Sequence, residues 1–177
     1  MPIWKTISSK VLLKHPRLTV IEDTVELPDG TQVPYLKYGA LTDSVTIICV
    51  MGDKVLLQQE YSYPPNQVLY QFPGGKVDKN ELPEDAAMRE LVEESGVESA
   101  SWQELGWYFP NNRRSDAKMF VYLADKIQTT SRVGGDHEED IISTWFSVSE
   151  VETMISNGTI RNFTLLAAWS LYRSQKS

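Results

Sequence analysis

Along the chain, apolar and polar positions change period several times, and each change marks an element. "SVTIICVMGDKVLLQQEYSY" carries two β-rich runs, about Val45–Met51 and Lys54–Tyr61, around a tight turn at Gly52–Asp53. "RLTVIEDTVELPDGTQVPYLKY" reads as extended segments turning at Pro28–Gly30. Tyr70–Phe72 is extended until Pro73-Gly74-Gly75 breaks it. From Pro83 the period becomes helical, with Glu84 and Asp85 at the positive end of the dipole and Gly96 as a stop after Ser95. "WQELGWYF", "KMFVYLAD" and "ISTWFSV" predict further strands, and Ser149–Ser156 a short helix. "IRNFTLLAAWSLYRS" predicts a last helix with Phe163, Leu166, Ala167 and Ser170 at helical spacing and Leu165 and Trp169 beside them. Strands mixed with separated helices predict a helix–sheet–helix sandwich of the α/β class, with an N-terminal β-hairpin region.

Composition narrows the class. The chain has 177 residues, enough for one domain with a sizeable core. At 41% hydrophobic and 23% charged it reads as soluble and globular. No stretch has the apolar length of a signal peptide or membrane span, and Cys49, the single cysteine, sits in an apolar run as a small buried side chain. A cytoplasmic location is the expectation. The net charge of −7 argues against binding nucleic acid through its phosphates. It does not exclude anionic small molecules, because divalent cations can stand between an acidic site and a phosphate.

That reasoning bears on "GGKVDKNELPEDAAMRELVEESGV". On a helix from Pro83 to Ser95, Glu90, Glu93 and Glu94 share one face within a turn. Ala87, Leu91, Met88 and Val92 supply an adjoining face that can dock on a sheet. Like charges so spaced cost a bare helix a few tenths of a kcal/mol, roughly, per pair. Bound cations reverse that sign, and oxygen ligands suit Mg²⁺ or Mn²⁺. The bland alternative is a solvated acidic helix face. Pro73-Gly74-Gly75 weighs against it, since a glycine turn lets a ligand approach the main chain.

The stretch resembles the Nudix hydrolase box, G-x5-E-x7-R-E-U-x-E-E-x-G-U with U aliphatic. Its fixed positions here are Gly75, Glu81, Arg89, Glu90, Leu91, Glu93, Glu94, Gly96 and Val97, and every one matches. The resemblance implies a mixed sheet between helices and a single domain over residues 1–177, with N-terminal strands over 1–43 and the core over 44–177. It implies metal-dependent hydrolysis, with Mg²⁺ or Mn²⁺ held by Glu90, Glu93, Glu94 and the Gly74 carbonyl. Glu93 thereby belongs to the catalytic set, Gly75 supports the site, and Arg89 holds a glutamate in place. For Arg89 the alternative is an ordinary surface pair with Glu93.

"VLLQQEYSYPPNQVLYQFPGGKVD" looks like the ADP-ribose and nucleoside diphosphate sugar pyrophosphatase branch, with Pro73 and Asp78 matching. Ser62 departs from it, standing where an arginine is often seen. Pro110, Ser115 and Asp116 fit the branch's small-residue loop, and Arg113 and Arg114 there are candidate substrate contacts with Ser115. Their alternative is solvation on an acidic protein. In "DHEED" the resemblance points to Glu139 as the water-activating base, with Glu138 as alternate, or to an acidic loop tip without chemistry; His137 reads as exposed. The expected partner is a small nucleoside diphosphate derivative, cleaved to nucleoside monophosphate and sugar phosphate. The branch also implies a homodimer through strands near residues 15–40. A nucleoside triphosphate or oxidised-nucleotide pyrophosphohydrolase is the competing enzyme. A non-catalytic nucleotide-sugar sensor is the competing binder, against which the intact box speaks.

Overall fold

The computed structural model describes residues 3–129 and 141–176. The chain divides into two compact units, Met1–Leu41 with Asn111–Ala117, and Thr42–Pro110 with Lys118–Ser177.

The first unit is a three-stranded antiparallel sheet in the order β1 (Lys5–His15), β2 (Leu18–Glu26), β3 (Gln32–Tyr38). The β2–β3 turn closes at the expected place, where Leu27 and Thr31 are bonded and Gly30 adopts φ 85°. The β1 strand is an addition to the sequence reading. Its Lys, Ser and His content hides the alternation, and every residue of it is exposed. Asp23 on the central strand is buried, between Ser9 Oγ at 2.6 Å and Lys37 Nζ at 2.6 Å. Those partners hold its carboxyl below the ordinary range, Lys37 contributing most.

The second unit carries a mixed sheet. Its strands are β4 (Ser44–Met51), β5 (Lys54–Ser62), β6 (Gln67–Gln71), β7 (Val97–Tyr108), β8 (Met119–Thr129) and β9 (Ile142–Ser147). The order is β6-β5-β4-β8-β7, with β9 paired to β5, and β4 runs parallel to β8. Helices α1 (Pro83–Ser95), α2 (Val148–Ser156) and α3 (Phe163–Ser174) complete it.

Apolar residues alternate along β4 and β8 and so feed two cores. Ile48, Val121 and Leu123 join Leu165, Ala168, Trp169 and Tyr172 of α3. Val45, Ile47, Cys49, Leu56 and Tyr122 join Ala86, Ala87 and Leu91 of α1. The layered α/β architecture expected from the pattern is present.

The helix faces differ in detail from the sequence reading. On α1, Ala86 is buried and Met88 is exposed. On α3 the buried row is Leu165, Ala168, Trp169 and Tyr172, while Phe163 is exposed. The sheet's position, not the widest apolar stripe, selects the face. Leu82 at the N-cap of α1 gives no side-chain cap. Burying Leu91 is worth about 1.5–3 kcal/mol, more than the like-charge repulsion of the acidic face, so packing rather than capping holds the helix in place.

Candidate active site

The site begins at the Pro73–Lys76 segment, which runs antiparallel to β4. Ile47 N–H donates to the Pro73 carbonyl and Val45 N–H to the Gly75 carbonyl, each at 2.8 Å. Both glycines are required by space. A Cβ at Gly74, where φ is 150°, would strike the Val45 carbonyl, and one at Gly75 would strike the Glu90 carboxylate. The absent side chain at Gly75 is therefore the recess into which Glu90 fits.

Helix α1 lies over this segment. Gly74 N–H donates to Glu94 Oε2 at 2.9 Å, so Glu90 and Glu94 are both drawn to the glycine pair. Arg89 ties the rest together. Its Nε and Nη2 grip the two oxygens of Glu81 at 2.9 and 3.0 Å. Nη1 reaches Glu90 at 2.9 Å and Glu93 at 3.1 Å, and Nη2 donates also to the Lys76 carbonyl at 3.1 Å. Glu81 Oε2 accepts a further bond from Asp78 N–H at 2.8 Å.

Arg89 thus bonds Glu93 one turn on and also bonds Glu81 and Glu90. Glu81 had a place in the box but no role in the sequence reading. The structure makes it the anchor of Arg89.

The electrostatics follow from these contacts. The Arg89 guanidinium holds the Glu81 carboxyl below its ordinary value, helped by Asp78 N–H. Burial pushes the Glu90 carboxyl up, opposed by Arg89. Its three carboxylate partners, Glu81 first, stabilise charged Arg89. Among the described residues no group of three acidic, histidine or cysteine side chains converges as a finished metal cage. Glu93 and Glu90 are turned onto Arg89 and Glu94 onto Gly74. What the site offers is an all-oxygen donor set on one helical face, with Glu90 seated in the Gly75 recess. That chemistry fits a hard divalent cation.

The other sequence-derived residues fall elsewhere. Arg113, Arg114 and Ser115 belong to the first unit, where they line a cavity of about 570 Å³ with Lys37, Tyr38 and Asp116. Arg114 donates to the Leu36 carbonyl at 3.2 Å and lies over the Tyr35 ring, 5.8 Å from its centroid. Tyr35 Oη donates to the Arg113 carbonyl at 2.7 Å. Ser115 Oγ accepts from Ala117 N–H at 3.0 Å and so helps shape the loop itself. His137, Glu138 and Glu139 lie outside the described residues.

With the box geometry in view, comparison with known proteins is decisive. Residues 40–168 match the NUDIX domain. The chain belongs to the Nudix family. Residues 4–35 match the nucleoside diphosphate sugar hydrolase N-terminal domain. This Nudix chain is 29% identical over 171 residues to an ADP-ribose pyrophosphatase of Mycobacterium tuberculosis, covering 93% of this chain and 80% of that one. It is 25% identical over 126 residues to an ADP-ribose pyrophosphatase of Bacillus subtilis, covering 70% and 66%. The crystal structure of an ADP compounds hydrolase superposes with a TM-score of 0.91 at 19% identity, over 99% of this chain and 95% of that one. At that identity the likeness establishes the fold. The protein is a Nudix hydrolase, similar to ADP-ribose pyrophosphatases of two bacteria. Among the described residues no helix is long and apolar enough to cross a membrane.

Proposed function

We propose that this Nudix hydrolase cleaves the diphosphate linkage of an ADP-ribose-like nucleoside diphosphate sugar, giving nucleoside monophosphate and sugar phosphate, with Mg²⁺ or Mn²⁺. The observation that carries the reading is the acidic face of α1 seated on Gly74–Gly75. Glu90, Glu93, Glu94 and the Gly74 carbonyl are the residues that would hold the cation. Once bound, such an ion screens the diphosphate and makes a coordinated water more acidic.

The remaining roles belong to the chain. Gly75 leaves room for Glu90. Arg89, fixed by Glu81, keeps the glutamates in register. Glu139, with Glu138 as alternate, is proposed as the base on sequence grounds. Arg113, Arg114 and Ser115 are proposed substrate contacts, supported by the cationic lining of their cavity. The net charge of −7 supports a small anionic substrate reached through cations rather than a nucleic acid. A cytoplasmic homodimer, in which the whole chain acts as one module, completes the reading. Its support is the exposed apolar content of β1, including Ile7, Val11 and Leu13.

The test is product identity. ADP-ribose, ADP- and GDP-sugars, dinucleotides and nucleoside triphosphates are offered with Mg²⁺, and the products are separated. The expected result is monophosphate plus sugar phosphate, stopped by a chelator. In ¹⁸O-water the label should enter one of the two products and mark the attacked phosphorus. Preferential release of pyrophosphate from triphosphates, with nucleotide sugars untouched, would favour the triphosphate reading instead. Binding of nucleotide sugars without turnover would favour the sensor.

A further inference from the structure

Gly74 and Gly75, which hold Glu94 and leave room for Glu90, also line a cavity of about 210 Å³. Ser44 and Thr46 of β4 and Thr164 of α3 line it with them, all within the second unit. Ser44 and Thr46 share a face of β4 with Ile48, which packs in the core formed with α3. The cavity therefore opens on the α3 side of the sheet and reaches the box through the two glycines.

Thr46 is the residue there that packing does not explain. It is 5% exposed, in a strand whose neighbours Val45, Ile47 and Ile48 are buried and apolar. Valine would suit the strand as well and carry no hydroxyl to satisfy. Among the described residues neither the Thr46 nor the Ser44 hydroxyl makes a hydrogen bond, yet neither oxygen is sealed from solvent. Both thus open onto the cavity they line. The Thr164 hydroxyl donates to Asn162 Oδ1 at 2.6 Å and can still accept. Tyr108 Oη donates to the Thr164 carbonyl at 3.0 Å, which fixes that wall.

This lining selects its occupant by chemistry. Whole small-molecule sites run to about 300–1,000 Å³, so this cavity takes one part of a substrate. A nucleobase wants a free aromatic face, but the Phe72 ring is 4% exposed and stacked on Trp169, 6.3 Å between centroids. A phosphate wants several cations, and Lys76 is the single charged residue of the lining. Hydroxyls beside the apolar Met119 side chain match a neutral sugar ring, which offers hydroxyls of its own.

We infer that this cavity is the subsite for the terminal sugar of the substrate, and that Thr46 determines specificity there by bonding a ring hydroxyl. The inference rests on the reading that the α1 carboxylates serve cleavage of a nucleoside diphosphate sugar. Gly74 and Gly75, common to both sites, keep the sugar next to the diphosphate that carries it. A site built to bond a substrate hydroxyl discriminates against the analogue that lacks it.

The experiment compares two substrates at saturating Mg²⁺: ADP-ribose, and ADP esterified to tetrahydrofurfuryl alcohol, the same ring without hydroxyls. kcat/KM is measured for the parent, Thr46→Val and Thr46→Ser, with melting temperatures alongside. Thr46→Val should lower kcat/KM for ADP-ribose about tenfold. For the hydroxyl-free ester the change should stay below about twofold, since the interaction removed is absent there. Thr46→Ser keeps the hydroxyl and should keep the parent's preference for ADP-ribose. Thr46→Val should melt no lower than the parent, because the hydroxyl it loses has no partner in the protein.

Equal losses on both substrates in Thr46→Val would overturn the inference, because a structural role moves both alike. So would undiminished activity on ADP-ribose, or a Thr46→Ser variant that loses the preference as fully as Thr46→Val. A Thr46→Val protein that melts well below the parent, or fails to fold, shows that the hydroxyl serves the fold and sinks the inference as well. A parent that cleaves both substrates equally removes the sugar subsite and leaves diphosphate cleavage standing. A parent that cleaves neither, while releasing pyrophosphate from triphosphates, sinks the proposed function and this inference together.

Discussion

Arg89 commits its guanidinium to Glu81, Glu90, Glu93 and the Lys76 carbonyl, so one cationic side chain organises the acidic face. The arrangement makes Gly75 unusually sensitive. Gly75→Ala would place a methyl group on the Glu90 carboxylate, with no left-handed backbone conformation to add strain. The expected outcome is a folded protein whose turnover falls by about 10²-fold, since small misplacements of reacting groups cost that much. Circular dichroism beside steady-state kinetics checks it. Glu93→Gln and Glu94→Gln keep side-chain volume but remove charge, so each should nearly abolish turnover at saturating Mg²⁺ without lowering the melting temperature sharply. Normal activity in either would refute the assigned metal face. The glutamates were legible in the sequence because helical spacing alone puts them on one face. The burial of Gln58 was not, since a glutamine in a β-rich run says nothing of burial until the register against β6 and β9 is known. The anchoring of Arg89 by Glu81 was hidden for a similar reason: it depends on the path of the turn through Asp78, where the Asp78 N–H bond closes.

Among the elements, α1 and the β4–β5 hairpin were read closely. Pro83 and Gly96 bound the helix, and Gly52–Asp53 bounds the hairpin, so local chemistry sufficed. Strands whose existence depends on a partner were read poorly. The sequence reading began a strand at Trp102, but β7 already starts at Val97, where "ESAS" is held by pairing to Asp125–Gln128 of β8 rather than by propensity. β1 is another case, bonded along its length to β2. The sheet it helps form has a titrating element at its centre. Because the folded Asp23 carboxyl lies below its ordinary value of 3.8, its contribution is complete above that value. It is lost as pH falls through the lowered folded value. The stability gap between the parent and Asp23→Asn should therefore be steady near neutrality and shrink below pH 3.8. Hydrogen exchange at β2 amides, corrected for intrinsic rates, measures it. A gap that grows on acidification would contradict the assignment.

For the molecule as a whole, the exposed apolar side chains of β1 are the feature most at odds with a solitary chain. Ile7, Val11 and Leu13 are each about half exposed, at 50%, 56% and 49%. If a second copy covers them, light scattering should give twice the chain mass of 20.1 kDa. Introducing Ile7→Asp with Val11→Asp should then return the mass to that of one chain. A monomeric parent would remove the dimer from the proposed function and leave the box chemistry as it stands.

The junction between α1 and β7 sets a rule about chain length. Gly96, in a left-handed conformation at φ 64°, ends the helix by bonding to the Val92 carbonyl, and Val97 is already in the strand and buried. No slack separates the two. Inserting one residue there would shift the strand by half its side-chain period, turning Val97 outward and Glu98 inward. The β5–β6 tip is different, because Tyr63–Asn66 closes on itself and Tyr63 is 82% exposed. Single-residue insertions scanned along the chain should be tolerated at that tip and rejected between residues 96 and 97. Relatives that gained or lost residues would be expected to have done so at the tip and to have kept the spacing from Gly75 to Val97 unbroken.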